Sequence, residues 1–167
     1  KPIRQTDHPM DIEKTPRPTI VTWLGYGGLL PFLALALASA LDANHRELWQ
    51  KMLLSYGAVI LSFVGAMHWA FAMLHPSTQG QSVNGLYAWS VIPSLVAWVA
   101  LLLAPLSGTT LLLGGLLAHY RQDLRLARVL ALPDWYLPLR LQLTLVASVC
   151  LASSYFLSQP LPAGVIT

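Results

Sequence analysis

Charge is scarce in this chain. Only 10% of its 167 residues are Asp, Glu, Lys or Arg, while 55% are hydrophobic. A soluble domain carries roughly 25% charged residues, and a soluble fold so poor in charge would be left with an apolar surface. Acidic residues are rarer still: Asp7, Asp11, Glu13, Asp42, Glu47, Asp123 and Asp134 are all there are. None falls inside a long apolar run. The expectation is therefore a bilayer without carboxylates, since an Asp at its centre costs roughly 2.5–3.5 kcal/mol.

Cysteine is nearly absent. Cys150 stands alone in an apolar run, which excludes an internal disulfide and a cysteine-based zinc site. It reads as a small buried apolar side chain. Catalytic motifs are missing too. Gly25-Tyr26-Gly27-Gly28 lacks the Lys-Ser/Thr of a phosphate loop. No HExxH, carboxylate pair or Ser-His-Asp set can be drawn, so no enzyme activity is expected. The net charge is +3, but the basic residues sit at the ends of apolar runs. That placement marks topology and argues against nucleic acid.

What the chain does have is apolar length. A membrane-spanning helix needs about 20 apolar residues. Five runs approach this, at about residues 20–41, 52–74, 87–103, 106–120 and 138–157. They predict an all-α integral membrane bundle of five transmembrane helices. Pro31 and Pro93 lie within the first and third runs, and a kink is expected near each. The fourth run is short for a span. Arg121 to Trp135 reads as a basic connection with one apolar side, suited to lying at the interface. Residues 1–19 read as a flexible polar arm, with Met10 an alternative start, and residues 158–167 as a short tail.

Orientation follows from the Lys and Arg count. With five spans, one side carries Lys1, Arg4, Lys14, Arg17, Arg121, Arg125, Arg128 and Arg140, and the other only Arg46 and Lys51. The basic side faces inward. The N-terminus is expected inside and the C-terminus outside.

His68 is the most informative polar residue, well inside the second run and beside Trp69. An ionisable group there is a functional candidate by default; a neutral histidine bonded to a neighbouring helix is the plainer reading. With Tyr56, Ser90, Ser94 and Trp98 it outlines a candidate pocket between the second and third spans. Arg140, which opens the fifth span, is the candidate for a lipid phosphate or for Asp134. His75 shares a face with His68, but seven residues of helix put them about 10.5 Å apart. His68 and His119 are the weak metal candidates. Haem held by histidines of two helices is the cofactor alternative to none.

Three stretches carry a resemblance: Ser55 to Trp69 (SYGAVILSFVGAMHW), Tyr87 to Trp98 (YAWSVIPSLVAW) and Leu132 to Arg140 (LPDWYLPLR). Together they resemble a bacterial and mitochondrial family of small inner-membrane proteins catalogued as a domain of unknown function. The resemblance covers roughly residues 20–157. It implies several spans and a bacterial inner membrane, with the mitochondrial inner membrane as alternative. It brings no activity with it. The expected role is a non-catalytic accessory or assembly subunit of a larger membrane complex, in contact with lipids and other subunits or as a homodimer. The alternative is a binder or carrier of a lipid, quinone or porphyrin, with an intramembrane pocket near His68.

Overall fold

The computed structural model describes residues 16–74, 83–130 and 132–156. Six α-helices follow one another: α1 (Thr19–Gly27), α2 (Leu30–Leu41), α3 (Arg46–Leu74), α4 (Val83–Leu102), α5 (Pro105–Leu126) and α6 (Tyr136–Phe156). No strand occurs among the described residues. α1 and α2 together form one rod, so five rods make the bundle.

Proline chemistry explains the break in the first rod. Pro31 lacks an N–H, and its ring crowds the carbonyl four residues earlier. The helix therefore stops at Gly27 and restarts at Leu30, with Pro31 in the first turn of α2. The interruption exposes backbone oxygen, which must be satisfied internally in a membrane. The Tyr56 hydroxyl of α3 donates to the Gly28 carbonyl at 2.9 Å. Pro93 behaves differently. It lies inside an unbroken α4 and packs into the notch at Gly65 of α3, where a Cβ would lie 2.8 Å from the proline ring.

α3 is the hub, packing on α2, α4, α5 and α6. Its buried stripe includes Leu54, Gly57, Leu61, Gly65, His68 and Ala72. Ala66 on the same helix is exposed, and Ser62 is only half-buried. The main core gathers Phe32, Leu53, Leu61, Leu112 and Leu151. A second, smaller apolar cluster of Ala72, Leu86, Leu126 and Leu130 lies at the other end of the bundle. The outer surface is apolar: Trp23, Leu37, Val59, Phe63, Trp98 and Val149 are all exposed, as lipid contact requires.

Four segments are long and apolar enough to cross a membrane: Thr19–Leu41, Ala43–Leu74, Asn84–Leu102 and Tyr136–Tyr155. The remaining rod, α5, has 22 residues, or about 33 Å at 1.5 Å per residue. That matches a hydrocarbon core of roughly 30 Å, although its last two turns are polar. The chain is thus a five-rod helical membrane bundle.

One boundary corrects the sequence reading with consequences. The fourth helix was expected to end at Tyr120 and give way to a basic connection. α5 instead continues through Leu126, and Asp123 turns inward with none of its surface exposed. The second helix also begins earlier than expected, at Arg46 rather than Met52.

Candidate polar centre and adjoining cleft

Four helices bring polar side chains to one buried place. His68 sits six residues before the end of α3, and His119 and Asp123 occupy the last two turns of α5. Tyr136 and Arg140 lie on the first turns of α6, and Trp89 on the second turn of α4. His119 and Asp123 are four residues apart, so they share a helix face. The second apolar cluster explains the dryness. Ala72 lies one turn beyond His68 and Leu126 one turn beyond Asp123, closing the centre at the bundle end, while the main core closes it from inside.

Asp123 is the centre. Its Oδ2 accepts from the Arg140 Nε–H at 2.8 Å, a short charge-assisted bond. Its Oδ1 accepts from the Tyr136 hydroxyl at 3.4 Å. The same Oδ1 lies 3.7 Å from His68 Nε2 and 3.8 Å from His119 Nε2, beyond hydrogen-bond range. His68 is completely buried, and neither of its ring nitrogens has a hydrogen-bond partner. The two imidazoles meet edge to face with centroids 4.7 Å apart, which leaves no slot for a porphyrin between them. The Trp89 indole donates to His119 Nδ1 at 3.3 Å. Because an indole only donates, that bond puts the imidazole proton of His119 on Nε2, facing Asp123.

Next to this centre a cavity of about 380 Å³ opens between α1, α2, α3 and α6. Its walls are Leu24, Leu29, Phe32, Ile60, Phe63, Leu143 and similar side chains. Leu24 and Phe63 are 69% and 65% exposed, so it opens sideways towards lipid. The polar groups are few: Arg140, Tyr136, Thr144 and Trp135. The Trp135 indole N–H is buried without a partner. Arg140 and Tyr136 belong to both places.

The residues named from sequence divide accordingly. His68, Arg140 and His119 come together. Tyr56 supports the α1–α2 break, three turns of helix away from His68. Trp69 meets Tyr87 edge to face at the surface, and Trp98 is 60% exposed. The buried Ser90 hydroxyl returns to the Tyr87 carbonyl of its own helix, and Ser94 is half-buried. The expected pocket between the second and third spans is therefore replaced by a cleft on the other side of α3. His75 lies outside the described residues. Asp134 is exposed, so Asp123 is the partner of Arg140. Sequence reading missed Asp123, Tyr136 and Trp89 as members of the centre. The four-residue spacing of His119 and Asp123 was the available signal, hidden by ending the helix at Tyr120.

Residues 17–156 match a family described as "Protein of unknown function (DUF3429)". The chain is 31% identical over 155 residues to Transmembrane protein 69 of Xenopus tropicalis, covering 90% of this chain and 58% of that protein. To Transmembrane protein 69 of Mus musculus it is 26% identical over 151 residues, covering 89% and 59%. It thus spans somewhat under three fifths of the length of these relatives. No solved structure matches. The chain, a multi-pass helical membrane protein, belongs to the DUF3429 family.

Proposed function

We propose that the protein binds an amphipathic, lipid-soluble molecule in the cleft between α1, α2, α3 and α6, without catalysing a reaction on it. One observation carries the reading: a cavity of about 380 Å³ is apolar except where Arg140, Tyr136, Thr144 and the unpartnered Trp135 N–H gather. Ligand sites typically span 300–1,000 Å³ and combine apolar walls with a few convergent polar groups. The cationic and N–H donors call for oxygen acceptors on the head of the ligand, as on a quinone, a fatty acid or a phospholipid. Membrane insertion with the N-terminus inside an inner membrane is part of the proposal, on the strength of the Lys and Arg distribution.

The test is lipid retention. Protein purified in mild detergent is extracted and its bound lipids identified by mass spectrometry. Leu143→Trp fills the cavity and Trp135→Phe removes the free donor. Both should lose the retained species while keeping the melting temperature. Equal retention in wild type and Leu143→Trp would overturn the reading.

A second reading, an accessory subunit of a larger membrane complex, draws on α1. No residue of this helix is buried, and Ile20, Trp23 and Leu24 present a broad apolar face that a partner helix or a second copy would cover. Cross-linking from a photoreactive group at Trp23 in native membranes decides it. Adducts with lipid alone would reject this role.

A further inference from the structure

The centre behind Arg140 has a chemistry the cleft does not use. His68, His119 and Asp123 each offer one ligand atom, and the three atoms lie within 4.8 Å of one another. All three residues are at most 1% exposed. We propose that they form a binding site for a divalent first-row transition ion of the zinc or iron(II) class.

Geometry is the first argument. An ion bound to nitrogen and oxygen at about 2.1 Å holds neighbouring ligand atoms roughly 3.0–3.4 Å apart. The two Nε2 atoms stand 3.7 and 3.8 Å from Asp123 Oδ1, so a closure of a few tenths of an ångström brings each histidine to the carboxylate distance that a shared ion requires. The three ligand atoms already lie within 4.8 Å of one another. These separations are too long for hydrogen bonds and suit an atom placed between the three. Two histidines and one carboxylate with open positions is a recurrent set for iron(II) and zinc.

The second argument is His68 itself. It is completely buried and both ring nitrogens are unpartnered, and a polar group taken out of water without a partner is destabilising. A metal bond to Nε2 removes one of these deficits. The carboxylate is already oriented for the task, because Arg140 holds Oδ2 while Oδ1, which accepts only a long 3.4 Å bond from the Tyr136 hydroxyl, is turned to the histidines. Arg140 cancels the carboxylate charge, so water, hydroxide or another anion completes the coordination.

The site carries a competitor that makes the proposal sharp. Trp89 donates to His119 Nδ1, which keeps the proton on Nε2. Metal binding at Nε2 moves that proton to Nδ1 and displaces the indole. Removing the indole N–H should therefore tighten metal binding, which a purely structural hydrogen bond would not do.

Chelator-treated full-length protein in detergent is titrated with Co2+, followed by its visible d–d absorption, and the bound Co2+ is then competed with Zn2+. The expected result is one ion per chain. His68→Gln and His119→Gln should each weaken binding at least about tenfold, and Trp89→Phe should strengthen it several-fold. The absence of a d–d band overturns the proposal. So does a band undiminished by His68→Gln, which would mean adventitious binding at surface histidines such as His45. Should His68→Gln fail to fold, Trp89→Phe decides, and unchanged or weaker binding there rejects the site. None of these readouts depends on what the cleft binds.

Discussion

Asp123 and Arg140 depend on each other because both are taken out of water. Asp123 has no exposed surface, and the Arg140 side chain is 10% exposed. Removing one partner of a buried pair leaves the other charge uncompensated, typically a loss of roughly 3–5 kcal/mol. Asp123→Asn should destabilise by about that amount, measured by denaturant unfolding in mixed micelles. The double replacement Asp123→Leu with Arg140→Met should recover most of it, since an apolar pair of similar volume replaces an ion pair at little loss. A different residue-scale device sits at the turn between α2 and α3. Asp42 accepts from the Asn44 and His45 backbone N–H groups and from the Trp49 indole. The Trp49 hydrogen bond, and then that of His45, hold its carboxyl below the usual aspartate range. A depressed folded-state value gives stability that is present above that range and disappears as pH falls through it. Asp42→Ala should therefore lower the melting temperature at neutral pH, with the gap closing in strong acid.

At the scale of elements, close approach decides where glycine is needed. α4 and α5 are joined by a two-residue turn, and a Cβ on Gly108 would run into the Ala100 carbonyl oxygen. Gly108→Ala should prise these helices apart at a loss of about 1–3 kcal/mol, the usual range for overpacking. Gly114 lies on the same helix with nothing near its missing Cβ. Gly114→Ala should stabilise by about 0.5–1 kcal/mol through reduced backbone entropy. Thermal melts of the two variants side by side check both signs. The existence and order of the helices were legible in the apolar runs, because lipid penalises charge along each span. Helix ends were less legible. α5 runs two turns past its apolar stretch, because Gln122 and Asp123 find buried surroundings supplied by α3 and α6, whose contact no local pattern records.

For the whole molecule, the segregation of Arg and Lys is a statement about direction. Ser107, in the first turn of α5, and Arg128, just past its last residue, flank the helix at opposite ends, and both are exposed. In a background lacking Cys150, Ser107→Cys should react with a membrane-impermeant maleimide from outside, and Arg128→Cys only after permeabilisation. The reverse pattern would invert the topology. The second tertiary feature at this scale is the cleft, made possible by the break at Gly28–Leu29, which lets α1 lean on α6 through the Tyr26–Gln142 hydrogen bond at 2.6 Å.

The membrane class and the number of rods are properties of the sequence by itself, which also singles out His68 and Arg140 as polar groups within or beside apolar runs. They follow from hydrophobicity and from the penalty on charge in lipid, both local quantities. Which side of α3 carries the cleft, and that Asp123 rather than Asp134 answers Arg140, were decided by tertiary structure. The reason is that a polar side chain's partner is set by which helix faces meet, and that meeting is governed by shape at Gly65, Gly108 and Pro93.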